Sequence, residues 1–235
     1  MTRNEDAEFD RYAKDYRDLH AESVRISGEA PDYFARYKVR EVARLSAFAR
    51  VDNAEPEILD FGCGVGGTTP HFSELFPGAR LHGADVSEES LALAKDRHAD
   101  IAKFTCFDGD RLPYPDASFD IVFTSCVFHH IEPDHWPASM RDILRVLRPG
   151  GEFFFFEHNP WNPLTRKVVR ECPFDEHAVL LSARRATTLI RDAGFSRTRT
   201  RYTMFFPRSL AALRPTERFL GALPIGAQYF IQAHG

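Results

Sequence analysis

Residues Glu57–Phe72 read EILDFGCGVGGTTPHF. A short apolar run suited to a buried strand enters a cluster of glycines, and a helix-like pattern follows. Glycines directly after a strand let the backbone approach a ligand closely, and the next helix N-terminus favours negative charge. Two spacings compete in this stretch. Gly62, Gly64 and Gly67 fit the dinucleotide fingerprint G-x-G-x-x-G. Asp60, Gly62, Gly64 and Gly66 fit an acidic-x-G-x-G-x-G loop.

Working outward, strands and helices alternate. RLHGAD (80–85) is a second strand, followed by the helix SEESLALAKDRHA with Ser87 as its N-cap. AKFTCF (102–107) is a third strand and the β-prone FDIVFTS (119–125) a fourth. The helix PASMRDILRVL stops at RPGG, and EFFFFEH (152–158) is the fifth strand. This alternation predicts an α/β, Rossmann-like doubly wound sheet, mostly parallel. Ligands on such sheets bind beyond the carboxyl ends of the strands. After Asn159 the pattern breaks into a long connection (about 159–181), the helix ARRATTLIRDAGF with Gly194 as its C′ residue, a strand SRTRTRYTMFF, an insertion (about 207–224) and a last strand AQYFIQA. Two strands joined by such a segment form an antiparallel sheet edge, and the Arg–Thr alternation of the first marks it as solvent-facing. Residues 1–50 read as helices interrupted at SGEAPDYF, giving an N-terminal helical cap ahead of a main domain spanning 51–235.

The 235-residue chain has an ordinary globular composition, with 43% hydrophobic and 27% charged residues. Its net charge of −4 gives no overall attraction for nucleic acid or an anionic membrane. Four scattered cysteines, with no C-x-x-C pair, fit a reducing cytoplasm, and the charged N-terminus lacks an apolar signal core. No apolar run approaches the roughly 20 residues needed to span a bilayer. The 21 phenylalanines are expected chiefly to fill the core.

The acid decides between the two glycine spacings. Asp60, ahead of the glycines, would repel a pyrophosphate but suits a zwitterion, whose ammonium needs an acceptor. That favours S-adenosylmethionine over a dinucleotide. Asp85 ends the second strand and can accept hydrogen bonds from ribose hydroxyls in either case. Asp108, after the third strand, could accept the adenine amine, which a nicotinamide enzyme does not need.

The segments ILDFGCGVGGTT, GADVSEESL, FDGDRLPYPDASFDIVFTSCVFHHIE and LRVLRPGGEFFFFEH resemble, in order and spacing, the class I S-adenosylmethionine-dependent methyltransferases, and most of all their small-molecule, type 11-like group. The resemblance covers about residues 9–205. It implies a seven-stranded sheet with an antiparallel last strand. It implies that Asp60 and the loop Gly62, Cys63, Gly64, Gly66 hold the methionine moiety. It assigns the ribose to Asp85, adenine packing to Val86 and the adenine edge to Asp108 and Gly109. Ser125 and Cys126 would line the space beside the sulfonium. FDRYAKDY is similar to the family's cap helix, with Tyr16 reaching the cofactor. S-adenosyl-L-homocysteine would be the product.

The acceptor is narrowed by exclusion. TSCVFHHI after the fourth strand lacks the D/N/S-P-P-Y/F element of amino-methylating DNA and peptide enzymes, which leaves a small-molecule substrate. A neutral hydroxyl acceptor needs a base, whereas an amine needs only its neutral form. Glu157 and His158 end the fifth strand nearest the acceptor. His158, with His130 and Glu157, is the candidate base. The spacing of His129, His130 and His135 is no ligand signature, and no acids cluster at the fourth strand end, so no metal is expected. Methyl transfer to oxygen or nitrogen is the leading reading. A non-catalytic S-adenosylmethionine-binding partner subunit and a nicotinamide-dependent oxidoreductase are the alternatives. Tyr33, Phe34, Trp161, Phe174, Phe205 and Phe206 are expected on a lid formed by the N-terminal helices and the two insertions.

Overall fold

The structure is a computed structural model that describes residues 16–51 and 54–235, with side chains from Leu19 onward. FDRYAKDY as a cap helix therefore lies outside the described residues up to Asp15, as does the Tyr16 side chain.

Seven strands form one sheet: β1 (Glu57–Phe61), β2 (Arg80–Asp85), β3 (Ala102–Cys106), β4 (Phe119–Ser125), β5 (Leu147–His158), β6 (Ser196–Thr203) and β7 (Gln228–His234). Their order is β3-β2-β1-β4-β5-β7-β6. The first five strands pair in parallel, while β7 is antiparallel to both β5 and β6. The expected mostly parallel sheet with an antiparallel last strand is what forms. The strand order reverses between β1 and β4, so the crevice opens at their C-terminal ends.

The helices are α1 (Tyr16–Val24), α2 (Pro31–Leu45), α3 (Thr69–Leu75), α4 (Glu88–His98), α5 (Trp136–Val146), α6 (Pro163–Glu171), α7 (Ala183–Asp192) and α8 (Glu217–Leu220). Local chemistry fixes their ends. Pro31 begins α2 at a position where a missing N–H does no harm. Ser87 caps α4 by accepting from the Ser90 N–H, and Asn162 caps α6 through the N–H groups of Leu164 and Thr165. Gly194, at φ +110°, follows α7 as expected of its C′ residue. No helix among the described residues is long and apolar enough to cross a membrane.

The period-2 alternation of strands divides the phenylalanine run of β5 between two cores. Phe153 and Phe155 join Leu59, Val122, Tyr229 and Ile231 beneath Trp136 and Met140 of α5 and Ile190 of α7. Phe154 and Phe156 join Ile58, Ile121, Phe123 and Phe230 beneath Val39 and Val42 of α2 and Phe72 of α3. All four are fully buried, and each such side chain contributes roughly 1.5–3 kcal/mol on burial. Helices thus cover both faces, which is why β5 is apolar at successive positions.

Two boundaries differ from the sequence reading. β5 begins at Leu147, not Glu152: RPGG ends α5 but continues as extended backbone, with the register shifting opposite Phe119–Ile121. β6 stops at Thr203, because Met204 takes a left-handed φ of +60° and turns the chain away before Phe205.

Candidate functional site

The loop after β1 carries the clearest backbone signal. Gly62, Gly64 and Gly66 all have positive φ, at +74°, +50° and +75°, whereas Gly67 does not. The glycines that need to be glycine are those of the acidic-x-G-x-G-x-G spacing, not the third glycine of the dinucleotide fingerprint. A Cβ on Gly62 would lie 2.4 Å from a methyl of Val127, while one on Gly64 would meet nothing within 4 Å. The loop is therefore packed underneath and open outward. Its Gly62 and Cys63 N–H groups donate to the Ala84 carbonyl, which ties it to β2. Cys63 is buried beneath it, its sulfur against Gly83, and burial raises its thiol pKa.

Asp60 is buried at the end of β1, and its carboxyl accepts from the Thr68 hydroxyl. Burial lifts its pKa to about 7; the Thr68 hydrogen bond opposes this, the Asp85 charge adds to it and the Lys38 ammonium opposes it. Asp85 accepts from the Gly64 N–H at 2.7 Å and the Ser87 N–H at 3.0 Å, so one carboxylate holds the glycine loop and the start of α4. Val86 beside it is half-buried. Asp108 is exposed at the next strand end, and Gly109 follows at φ +86°. Asp108 accepts from the Asp110 and Arg111 N–H groups, which keep it below the usual carboxylate range. All these residues stand on successive strand ends along one rim.

At the β4 end the fold adds a residue that the sequence reading missed. Lys38 of α2 is only 6% exposed, and its Nζ lies 2.6 Å from the Ser125 hydroxyl and 3.4 Å from the Cys126 sulfur. Its ammonium makes no salt bridge among the described residues, but at longer range it forms a charge pair with Asp60, whose pKa it lowers. A signal was present: Lys38 shares a helical stripe with Phe34 and Val42, and a charge in an apolar stripe asks for a buried partner. Cys126 holds a left-handed φ of +57°, uncommon for a non-glycine residue and concentrated at functional sites. Burial pushes its thiol up, but the Lys38 ammonium and His158 outweigh this and bring it to about 6.

The candidate bases lie on the far side of β4. Glu157 is fully buried and accepts from the Phe128 N–H, the His158 N–H and the His129 ring at Nδ1. Burial raises its pKa and the His129 charge outweighs it, leaving it at about 2. A carboxylate so occupied positions its neighbours. His129 is buried as well, not at the cleft rim. His130 is brought to about 3 by burial and by the charge on His129. His158 is half-buried, with Gln228 Nε2 3.5 Å from its Nδ1. The 3-10 turn Pro173–Asp175, in the long connection, brings Asp175 to the same place, and His129, His158 and Asp175 each offer a ligand atom within 4.8 Å of the others. The expectation of no metal rested on local histidine spacing and on the lack of acids at the β4 end, and neither registers residues 46 positions apart.

A methyltransferase-domain family model matches residues 59–155, from β1 to β5. Through this domain the chain is similar to the class I S-adenosylmethionine-dependent methyltransferases. Curated relatives include a fatty-acid O-methyltransferase of Mycolicibacterium smegmatis, 30% identical over 131 residues, covering 55% of this chain and 46% of the relative. A demethylmenaquinone methyltransferase of Chlorobaculum parvum is 32% identical over 131 residues, covering 55% and 53%. The chain spans about half the length of the curated relatives it matches. Among solved structures, a possible histamine N-methyltransferase of Thermotoga maritima superposes with a TM-score of 0.68 at 18% identity, over 97% of this chain and 98% of the other. That likeness concerns the fold.

The cofactor of this methyltransferase family is S-adenosylmethionine, and the residues present fit it. The buried Asp60 carboxyl feels the Lys38 ammonium, and two such groups suit the ammonium and carboxylate of a methionine zwitterion. The loop is open at Gly64, where a Cβ would meet nothing within 4 Å.

Proposed function

We propose that this chain transfers the methyl group of S-adenosylmethionine to an oxygen or nitrogen of a small-molecule acceptor. The observation that carries the reading is the buried Asp60–Lys38 pair flanking a loop in which Gly62, Gly64 and Gly66 all take positive φ. In this reading Asp60, Lys38 and the Gly62–Gly66 loop hold the amino-acid part of the cofactor. Asp85 holds the ribose. Val86, Asp108 and Gly109 hold the adenine, and Ser125 and Cys126 line the wall beside the sulfonium.

The cofactor supplies a methyl group already activated on a sulfonium. The protein's work is alignment of the acceptor, and such positioning can supply roughly 7–11 kcal/mol of the barrier. An oxygen acceptor must also lose a proton. Of the three candidates, Glu157 is engaged in positioning and His130 is held neutral, so His158 is the group that meets the acceptor.

The acceptor side is closed by three segments: residues 16–50, 159–181 and 207–224. Their mutual contacts support a shared lid. Arg214 pairs with Glu29 at 2.8 Å and stacks on the Tyr33 ring, Arg208 donates to the Gly28 carbonyl, and the rings of His20 and Phe174 meet edge-on. A lid of this kind excludes water from the sulfonium. A carbon acceptor is the second reading, since a ubiquinone/menaquinone biosynthesis C-methyltransferase of Ectopseudomonas mendocina is 32% identical over 118 residues.

The test is turnover on a panel of carboxylic acids, phenols, quinols and amines, read as S-adenosylhomocysteine release with the product's methyl located by NMR. Methylated oxygen or nitrogen supports the reading. Methylated carbon moves it to the second reading, and cofactor binding without turnover on any acceptor favours a partner subunit.

A further inference from the structure

We propose that His129, His158 and Asp175 form a site for one first-row divalent cation, zinc by its donor set, on the acceptor side of the cleft. His129 is already arranged as a ligand. Its Nδ1 meets the buried Glu157 carboxylate at 2.8 Å, which leaves Nε2 directed at Asp175. A carboxylate behind the far nitrogen is the usual support of a metal-bound imidazole, because it fixes both tautomer and ring orientation.

Asp175 gives the independent sign. The residue is 7% exposed, and its Oδ1 makes no hydrogen bond although the Nε2 atoms of His129 and His130 stand 3.5 and 3.3 Å away. Buried carboxylate oxygens without a hydrogen bond are costly. The separations suit a shared ion: two donors about 2.0–2.1 Å from a tetrahedral zinc stand about 3.3–3.4 Å apart. His158 completes the set at up to 4.8 Å; its ring now bonds the Cys126 thiol and stands 3.5 Å from Gln228 Nε2, contacts that it would exchange for the ion. A rotation of that ring closes the site. Two imidazoles and a carboxylate suit zinc and its first-row neighbours better than magnesium or calcium.

The competing explanation is an imidazolium at His129 between two carboxylates, Glu157 and Asp175. It accounts for His129, but it engages Asp175 only through long contacts of 3.3–3.5 Å and gives His158 no part. Three protein ligands leave a fourth position open, the pattern of a catalytic rather than a structural zinc. Resting on the methyl-transfer reading, that position takes an oxygen of the acceptor, and His158 then acts as ligand while the ion, not an imidazole, lowers the hydroxyl's pKa. Gln228 joins the two halves, its Nε2 lying 3.6 Å from the Cys126 sulfur and 3.5 Å from His158.

The experiment is calorimetric titration of chelator-treated protein with zinc chloride, for the wild type, Asp175→Asn, His158→Gln and Cys106→Ser. Cys106→Ser controls for the exposed thiol. The expected result is one site per chain in the wild type and Cys106→Ser, weakened at least about tenfold in the other two. Cobalt(II) should give visible absorption in the wild type that zinc displaces. Absence of one-site binding in the wild type, or equal affinity in His158→Gln, overturns the proposal. His158 is half-buried, so that variant decides even where Asp175→Asn unfolds. Titration of the same proteins with S-adenosylhomocysteine keeps the two readings apart: binding there without zinc binding sinks only the ion, and the reverse sinks only methyl transfer.

Discussion

The two halves of the cleft are built differently. The proposed cofactor half is local: Asp60, Gly62, Gly64 and Gly66 lie within seven residues, and Asp85 and Asp108 each follow at the end of the next strand. The acceptor half is assembled from a distance. Cys126 and His129 come from the end of β4, His158 from β5, Asp175 from a connection and Gln228 from the last strand, while Lys38 reaches the boundary of the two halves from a helix before the sheet. Backbone geometry serves the first half, and buried charge serves the second. A conserved task such as holding one cofactor can be written in a short loop, while a variable one is better placed on segments that can change independently.

The largest effect should come from the loop itself. Gly62→Ala places a methyl against Val127 at a left-handed position. Overpacking costs about 1–3 kcal/mol, with roughly 1–2 kcal/mol more from the backbone. The melting temperature should fall sharply and cofactor binding should vanish. Val127→Ala in the same chain should recover part of the loss, and no recovery would mean the clash is not what matters. Asp85→Ala comes next. It removes the acceptor of the Gly64 and Ser87 N–H groups as well as a charged ligand contact, so S-adenosylhomocysteine affinity should drop about tenfold to a hundredfold, from charge-assisted bonds of about 1.5–3 kcal/mol. Unchanged affinity would remove Asp85 from the ribose.

These two changes test what could be read directly from the sequence. The fold was legible because each strand–helix unit carries its own period, and the cofactor rim was legible because its residues are tied to strand ends. Asp175 and Gln228 were not, because nothing near either of them in the chain says what it will face; for Lys38 the apolar stripe signals burial but not the partner. His130 and Glu157 illustrate the reverse difficulty: their positions after β4 and β5 were read correctly, but burial and the His129–Glu157 pair turn one neutral and the other into a support. Trp161, expected on a lid, is 73% exposed.

pH sharpens the comparison further. The Asp60 pKa in the free protein is raised to about 7, so below that pH the carboxyl holds its proton and binding a ligand ammonium must expel it. Cofactor affinity should therefore rise with pH up to about 7, by at most about tenfold per unit for one coupled proton, and then level off. Asp60→Asn should bind more weakly and with a flat profile over the same range; a sloping profile in that variant would assign the proton elsewhere. The smallest effect on stability is expected at the lid. Trp161→Ala should change stability by no more than about 0.5 kcal/mol, as for other exposed positions, while raising the acceptor KM and sparing cofactor affinity. A fall in melting temperature with unaltered KM would make Trp161 a packing residue.

The meeting point of the two halves is the Asp60–Lys38 pair, and calorimetry on Lys38→Met tests it most directly. Wild-type protein should bind S-adenosylmethionine and S-adenosylhomocysteine but not NAD. Lys38→Met should remain folded, since an apolar side chain suits this buried position, and should bind both ligands at least about tenfold more weakly, the loss expected for one charge-assisted contact. Binding of NAD by the wild type, or an unaltered affinity for S-adenosylhomocysteine in Lys38→Met, would contradict a cleft built around a methionine zwitterion.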